Sequence, residues 1–156
     1  MKTAIITGIL GQDGAYLAKL LLEKGYKVVG AERRSASGTP WRLDKLNVGK
    51  KVILEEFELL ESSTMVNLIK KYNPDEFYNL AAQSFVKASF EIPIMTSNTT
   101  ALGVTRILEA IKLVKPGLRF YQASSSEMFG KVLEIPQNEA TPFYPRSPYA
   151  VSKVYA

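Results

Sequence analysis

Residues 2–14 read Lys2-Thr-Ala-Ile-Ile-Thr7-Gly8-Ile-Leu-Gly11-Gln-Asp-Gly14, an apolar run followed by glycine at every third position. The run from Lys2 to Thr7 has the length and the β-branched content of a buried strand. Glycines directly after such a strand allow a tight turn and let a pyrophosphate approach the backbone, while the amides of the following helix face its charge. The pattern therefore predicts a strand, a turn and a helix that bind the phosphates of a dinucleotide.

The rest of the chain alternates between strand-like and helix-like runs. We expect strands at 27–31, 51–57, 76–80 and 118–123 and helices at 13–24, 62–72, 94–114 and from 149 onward. Ser63 is the expected cap of the second helix. The alternation predicts an α/β fold with a doubly wound parallel sheet, the Rossmann-like NAD(P)-binding domain. Because residues 1–156 stop inside the last helix, we interpret them as an incomplete domain whose carboxy-terminal substrate-binding domain is absent.

The composition excludes several classes of protein. The chain has 156 residues, a formal charge of +5, and neither cysteine nor histidine. Disulfides, thiolate metal sites and histidine chemistry are therefore excluded, and carboxylates, Tyr, Lys or a cofactor must carry any proton transfer. No apolar run reaches the roughly 18 residues of a membrane span, and the cations are scattered, unlike those of nucleic-acid-binding proteins. We expect a cytoplasmic protein with no metal, membrane or nucleic-acid partner.

The run Glu32-Arg33-Arg34-Ser35 follows the second strand, where Rossmann-like proteins distinguish the two nicotinamide cofactors. Two guanidinium groups suit the 2′-phosphate of NADP, since Arg binds phosphate through paired charge-assisted hydrogen bonds. Glu32 is able to accept the bare ribose hydroxyls of NAD instead. We expect NADP and keep NAD as the alternative; a solvated basic turn would explain the same residues without a ligand.

Tyr149 and Lys153 stand four residues apart in a helix-like segment, so their side chains share one face. A lysine ammonium there stabilises a neighbouring tyrosinate, which makes the phenol a usable proton acceptor near neutral pH. The run Ser124-Ser125-Ser126-Glu127 follows the fifth strand. Its hydroxyls can bind a sugar oxygen, and a carboxylate shielded from water can exchange protons with a substrate. Without catalysis, Tyr149 and Lys153 would belong to the start of an ordinary helix, and the serine run would be a turn in which Glu127 acts as a cap.

The sequence is similar to a known family over essentially its whole length. The matching stretches are ITGILGQDGAYLAKLLLEKGY, ERRS, YNLAAQSFV and RFYQASSSEMFGKVLEIPQNEATPFYPRSPYAVSKVYA. The chain resembles the extended short-chain dehydrogenase/reductases, and among them most closely the enzymes that dehydrate GDP-mannose. The GQDG, NLAAQS and TPFYPRSPY runs are specific to that group, whereas the glycine and Y-x-x-x-K patterns mark the wider family.

The resemblance implies a role for each catalytic candidate. Tyr149 would take the proton of the sugar 4-hydroxyl, and Lys153 would hold the tyrosinate and the nicotinamide ribose. Glu127 would take the C5 proton and assist loss of the C6 hydroxyl, with Ser125 as a supporting hydroxyl where relatives carry threonine. The implied reaction moves a hydride from C4 to NADP+, eliminates water across C5 and C6, and returns the hydride to C6. Its product, GDP-4-dehydro-6-deoxy-mannose, belongs to deoxysugar biosynthesis such as that of GDP-fucose or GDP-rhamnose.

The resemblance also implies the ligand-binding residues. Those for the cofactor are Gly8, Gly11, Gln12, Asp13, Gly14, Arg33, Arg34, Glu58, Leu59, Leu80, Ala81, Gln83, Tyr149 and Lys153. Those for the substrate, GDP-mannose or a related nucleotide sugar, are Ser84, Ser125, Ser126, Glu127 and Tyr149. Glu58 stands where relatives carry aspartate, and Met95 where they often carry tyrosine, so these two cofactor contacts depart from the family pattern. The implied assembly of the complete enzyme is a homo-oligomer.

Two other functions stay open on the sequence alone. A sugar-nucleotide epimerase or 4-ketoreductase of the same fold would need Tyr149, Lys153 and a hydroxyl, but no carboxylate at position 127. A non-catalytic dinucleotide-binding module would need neither the tyrosine nor the lysine. We also expect the isolated 156-residue chain to bind NADP more readily than GDP-mannose and to be inactive by itself.

Overall fold

The computed structural model describes residues 1–35 and 39–156. The strands are β1 (Thr3–Thr7), β2 (Lys27–Glu32), β3 (Ile53–Glu56), β4 (Glu76–Asn79) and β5 (Arg119–Gln122). The helices are α1 (Gln12–Glu23), α2 (Trp41–Lys45), α3 (Ser62–Tyr72), α4 (Val86–Glu91), α5 (Pro93–Thr100), α6 (Leu102–Val114) and α7 (Pro148–Tyr155), with 3₁₀ turns at Gly49–Lys51 and Ser126–Met128. Within the described ranges, no helix is long and apolar enough to cross a membrane.

The chain divides into two compact units, which we name the sheet unit and the helical unit. The sheet unit comprises residues 1–81 and 106–123, and the helical unit comprises residues 82–105 and 124–156. All five strands belong to the sheet unit, in the order β3-β2-β1-β4-β5, and every neighbouring pair is parallel. This topology confirms the predicted doubly wound α/β fold.

The central strand β1 is buried on both faces. Successive side chains of a strand point to opposite faces of the sheet, so Ile5 packs with Phe77 and with Ile107 of α6. Its neighbour Ile6 packs on the other face, in a cluster with Ala18 of α1 and Leu43 of α2. The short run of apolar residues that predicted a buried strand therefore separates two hydrophobic cores.

The helices α4, α5 and α7 pack against one another in the helical unit, and α7 also packs against the Ser126–Met128 turn. The α7 helix begins with two standard signals: the Ser147 hydroxyl accepts a hydrogen bond from the Ala150 amide at 3.0 Å, and Pro148 occupies the first helical position. Two backbone hydrogen bonds hold the chain that follows the Ser126–Met128 turn. The Tyr144 amide donates to the Met128 carbonyl, and the Lys131 amide donates to the Tyr144 carbonyl. The loop and the helix start are thus fixed locally.

Two sequence expectations about helices are wrong, and two short helices were not predicted. The predicted helix at 94–114 is two helices, α5 and α6, separated at Ala101. The end of α5 reads Asn98-Thr99-Thr100, and these residue types favour the helix poorly because their side chains restrict or compete with its backbone. The predicted cap Ser63 lies inside α3; the Glu61 carboxylate caps that helix by accepting from the Ser63 amide at 3.2 Å. The short helices α2 and α4 were not predicted, because five or six residues carry no readable period.

A charged cluster closes the amino-terminal edge of the sheet around Glu76. The carboxylate is 8% exposed and accepts hydrogen bonds from the Tyr78 hydroxyl at 2.7 Å and the Tyr26 hydroxyl at 3.2 Å. Lys2 adds an ion pair at 3.6 Å. Burial alone would raise the pKa of Glu76, but the two hydroxyl donors and Lys2 outweigh it and lower that pKa. Burial and the Glu76 carboxylate together raise the pKa of Tyr78 to about 12.

The Glu76 cluster generates a prediction about acid stability. Because the pKa of Glu76 is lowered on folding, its stabilisation is complete above the unfolded-state pKa and is lost as the pH falls through the folded-state value. We expect Glu76→Gln to reduce the free energy of unfolding by about 1–3 kcal/mol at pH 7, and this difference to shrink below about pH 4. Urea titrations of parent and variant at several pH values measure it.

Glu109→Gln is the matched control, since Glu109 forms only an exposed pair with Lys112 at 3.8 Å. Its effect should stay below about 0.5 kcal/mol. A Glu76→Gln loss that is absent, or that is equally large at pH 3, would contradict the role given to the carboxylate.

Candidate functional site

The glycine turn after β1 is packed so tightly that a Cβ atom would have little room at Gly8, Gly11 or Gly14. Gly8 has φ 68°, and a Cβ there would lie 3.0 Å from the backbone nitrogen of Ala81. A Cβ on Gly14 would lie 2.5 Å from the Gly8 carbonyl oxygen, and the Gly11 amide donates to that same oxygen at 2.9 Å. The three glycines therefore form one closed turn, which lies against the end of β4. Gly11 is exposed, whereas Gly14 is buried.

A buried polar relay links the carboxyl ends of three neighbouring strands. The Thr7 hydroxyl donates to the Asn79 side-chain oxygen at 2.6 Å and accepts from the amides of Leu80 and Ala81, each at 3.1 Å. The Asn79 amide group donates to the Gln122 side-chain oxygen at 2.8 Å. Sequence analysis overlooked this relay, although each of the three polar side chains is the last residue of its strand and the strands align in register.

The start of α1 fits the phosphates of a dinucleotide. The helix begins at Gln12, directly after the turn, and Gln12 and Asp13 are exposed. The first-turn amides of a helix have no intrahelical partner and carry partial positive charge. Together with a turn that a Cβ would fill at Gly8 and Gly14, they provide the donors that a pyrophosphate needs.

The other predicted cofactor residues of the sheet unit differ in their exposure and in their contacts. Arg33 and Arg34 are both exposed, and Arg34 forms an ion pair with Glu56 at 3.8 Å. The Glu58 carboxylate accepts from the Leu60 amide at 3.3 Å, whereas the Leu59 side chain packs in the hydrophobic core. Leu59 can therefore contribute to a ligand site only through its backbone.

Gln83 and Ser84 lie close to the start of the helical unit. The Gln83 side chain forms hydrogen bonds within that unit. The Gln83 amide donates to the Thr100 hydroxyl at 3.2 Å, and its side-chain oxygen accepts from the Thr96 hydroxyl at 3.5 Å. Ser84 is exposed. Met95, which departs from the family pattern, is 41% exposed on α5.

Tyr149 and Lys153 lie on the buried face of α7, as their spacing predicted. They are 7% and 4% exposed, and the Lys153 Nζ lies 6.0 Å from the centroid of the Tyr149 ring. Burial lowers the pKa of Lys153, because removal of water penalises the ammonium form. An anion that forms next to this lysine, such as a tyrosinate, would be stabilised by a charge that water screens little.

The Ser126–Met128 turn carries Glu127 and packs against α7. The Ser125 hydroxyl accepts from the Glu127 amide at 3.2 Å and so caps the turn. Glu127 itself is exposed, so the expectation of a carboxylate shielded from water is not met among the described residues. It lines an open cleft of about 480 Å³ together with Ser126, Gly130, Lys131 and Arg146. Sequence analysis did not select Lys131 or Arg146.

The helical unit thus combines a buried tyrosine, a buried lysine and an accessible carboxylate on packed elements. A tyrosinate beside an ammonium can accept a proton, which the resulting phenol can return, and a carboxylate in an open cleft can remove a second proton from a ligand. No cluster of three metal-ligating side chains occurs in residues 1–35 and 39–156. The side chains of this unit that are suited to proton transfer are those of Tyr149 and Glu127.

Comparisons with known proteins identify the family and the fold of the chain. A family model described as GDP-mannose 4,6 dehydratase matches residues 5–156. The GDP-mannose 4,6-dehydratase of Yersinia enterocolitica is 52% identical, over 100% of this chain and 44% of that protein. The chain spans less than half the length of the curated relatives it matches.

Two solved structures show the same fold. The Bordetella bronchiseptica enzyme WbmH, solved in complex with NAD+, has a TM-score of 0.83 and 29% identity over 99% of this chain and 50% of its own. The UDP-glucose 4-epimerase of Bifidobacterium longum, solved with NAD+ and UDP, has a TM-score of 0.87 and 24% identity over 99% of this chain and 46% of its own. At that identity the second likeness concerns the fold alone.

The close packing of the glycine turn predicts a position-specific effect of adding one methyl group. Gly14→Ala must displace the Gly8 carbonyl or the Ile9 backbone, 2.8 Å from the added Cβ, and we expect a loss of about 1–3 kcal/mol in the free energy of unfolding. Gly117→Ala is the matched control, since nothing lies within 4 Å of its added Cβ; it should change stability by less than about 1 kcal/mol, with gain favoured. Equal effects of the two substitutions in urea unfolding would refute the tight turn.

Proposed function

The chain belongs to the GDP-mannose 4,6-dehydratase family, and we propose that its protein converts GDP-mannose to GDP-4-dehydro-6-deoxy-mannose by internal redox chemistry and loss of water. The observation that carries this proposal is the packing of the Glu127 turn against α7, the helix that holds Tyr149 and Lys153. A dehydratase needs two proton acceptors, one for a hydroxyl and one for a carbon acid. The helical unit supplies both.

NADP is the proposed cofactor, with NAD as the alternative. When bound, it supplies the acceptor and later the donor of a hydride. The glycine turn and the start of α1 would hold its pyrophosphate, and Arg33 and Arg34 would favour a 2′-phosphate. NAD stays in consideration because Glu32 is the last residue of β2 and because WbmH was solved with NAD+.

Tyr149 would accept the proton of the sugar 4-hydroxyl during oxidation at C4. The form of Tyr149 that accepts this proton is the tyrosinate, which becomes a neutral phenol in the step. The buried Lys153 ammonium would stabilise the tyrosinate before the step, and the tyrosinate in turn offsets the penalty that burial places on the ammonium. Lys153 would therefore keep Tyr149 available as a base near neutral pH, and it would also hold the nicotinamide ribose.

Glu127 would take the proton from C5, which a ketone at C4 has made acidic, and deliver a proton to the departing C6 hydroxyl. The turn that the Ser125 hydroxyl caps fixes the backbone of Glu127, and the side chain faces an open cleft of sugar size. Ser125, Ser126 and Ser84 would donate or accept hydrogen bonds to the sugar. Glu127 is accessible to water in this chain, and a bound sugar would cover it.

The second candidate is a nucleotide-sugar epimerase or 4-ketoreductase of the same fold. The exposure of Glu127 favours it, because those reactions need no shielded carboxylate at this position. Both candidates use Tyr149 and Lys153 in the same way, so Glu127 distinguishes them.

A cytoplasmic location and a homo-oligomeric assembly are further parts of the proposal.

The proposal generates a prediction about Glu127→Gln, in protein expressed from the complete reading frame and supplied with NADP+ and GDP-mannose. The amide cannot take the C5 proton, while Tyr149 is unchanged, so oxidation should proceed and elimination should stop. We expect enzyme-bound NADPH absorbance at 340 nm to accumulate, dehydratase turnover to fall by at least about a hundredfold, and exchange of the C5 proton with deuterated water to cease.

Tyr149→Phe is the matched control, because it removes only the phenol oxygen. It should show neither turnover nor NADPH absorbance. If Glu127→Gln turns over at the parental rate, elimination does not depend on Glu127, and the epimerase or reductase function replaces the dehydratase.

A further inference from the structure

The open cleft of about 480 Å³ that Glu127 lines also contains two cations, Lys131 and Arg146. Neither cation takes part in the proton transfers described for Glu127. A carboxylate accepts hydrogen bonds from hydroxyl groups, and ammonium and guanidinium groups donate to hydroxyl oxygens. The cleft therefore offers a sugar charged donors as well as a base.

Arg146 lies beside the Glu127 turn because Gly130 lets two backbone segments approach each other closely. Gly130 has φ 48°, and a Cβ there would lie 2.1 Å from the Tyr144 carbonyl oxygen and 3.1 Å from the Arg146 Cγ. The Tyr144 amide also donates to the Met128 carbonyl at 3.1 Å. The backbone that carries Arg146 is thereby held against the backbone that carries Glu127.

The start of α7 and the Tyr144 ring restrict Arg146 further. The capping residue of α7, Ser147, follows Arg146 directly, and Tyr149 is only three residues beyond it. The Arg146 guanidinium lies over the Tyr144 ring, 5.5 Å from the centroid. Stacking of this kind uses none of the N–H groups of a guanidinium, so they stay available to a ligand in the cleft.

Lys131 shares the cleft but is less suited to hold one sugar oxygen in place. An ammonium is a strongly hydrated point charge on a flexible stem, whereas a guanidinium presents several donors in a fixed plane. The ring contact and the close packing at Gly130 give Arg146 a defined position. Of the two cations, Arg146 is therefore the one that can direct a hydrogen bond.

Elimination of water from a 4-keto sugar needs help at the oxygen that departs. The C5–H bond breaks, its electron pair forms the C5–C6 double bond, and the C6–O bond breaks with its electrons on oxygen. Glu127 takes the C5 proton and delivers a proton to that oxygen, which leaves as water. Negative charge develops on the oxygen as the bond stretches, and a fixed cationic donor stabilises such a charge in a site that excludes water.

We propose that Arg146 donates a hydrogen bond to the C6 oxygen of the sugar as that oxygen departs. The inference rests on the proposed dehydratase function and adds to it a group that acts on C–O cleavage alone. Arg146 transfers no proton, so the balance of atoms and charges in the elimination is unchanged. Oxidation at C4 and removal of the C5 proton do not require it.

The variant Arg146→Met, in protein expressed from the complete reading frame, separates C–O cleavage from the earlier steps. It would be supplied with NADP+ and GDP-mannose in deuterated water. We expect dehydratase turnover to fall about a hundredfold, enzyme-bound NADPH absorbance to accumulate, and deuterium to appear at C5 of the recovered GDP-mannose. Glu127→Gln should show the absorbance without the deuterium, because it cannot remove the C5 proton.

Three control variants test whether the geometry of Arg146 matters. Arg146→Lys should lose less turnover than Arg146→Met, since it keeps the charge but not the planar fork. Lys131→Met removes a positive charge from the same cleft and should also lose less. Lys112→Met removes an exposed cation of α6 and should keep the parental turnover.

Three results would overturn the inference. The first is a turnover of Arg146→Met within about threefold of the parent. The second is a loss of C5 exchange together with turnover, because Arg146 would then act before C–O cleavage or only shape the cleft. The third is an equal loss in Lys131→Met, which would make net charge the cause.

The parent protein distinguishes this inference from the proposed function. A parent that releases no water from GDP-mannose would overturn the dehydratase and the role of Arg146 together. A parent that releases water, with an Arg146→Met variant that does so equally fast, would overturn the role of Arg146 and leave the dehydratase standing.

Discussion

The hydroxyl of Thr7 is the group on which the nucleotide-binding edge of the sheet depends. It is fully buried, donates to Asn79 and accepts from the amides of Leu80 and Ala81. Without it, buried donors would be left unsatisfied at a cost of about 1–3 kcal/mol each. With it, the end of β4 is held against the end of β1 closely enough that only glycine fits at position 8. The close packing of the glycine turn against Leu80 and Ala81 follows from that constraint.

The two units divide the chemistry between them. The sheet unit offers backbone amides and arginines, which suit phosphates, and the helical unit offers Tyr149, Lys153 and Glu127, which suit proton transfer. In the helical unit burial favours the neutral lysine, so the tyrosinate and the ammonium stabilise each other when both form. Glu127, by contrast, is exposed, and a sugar bound in its cleft is what would exclude water from it.

The sequence predicted what depends on local pattern. The strand and glycine turn of residues 2–14, the parallel sheet, and the shared face of Tyr149 and Lys153 follow from spacing and residue type alone. It missed short local features, namely the break at Ala101, the Glu61 cap and the five-residue helix α2, because the periodicity of apolar residues does not report them. The Thr7 relay joins residues that are far apart in the chain, and no local pattern reports such contacts. Likewise, residue types suggested a shielded Glu127, whereas the packing leaves it exposed.

Transfer of a labelled hydrogen within the sugar tests the dehydratase proposal most directly. GDP-mannose carrying deuterium at C4 would be incubated in ordinary water with NADP+ and protein from the complete reading frame, and the product analysed by NMR and mass spectrometry. The proposal predicts a product that has lost one water and carries the C4 deuterium at C6, with a solvent proton at C5. A sugar that retains its water, with deuterium back at C4 or with inverted configuration there, would contradict the proposal and identify an epimerase.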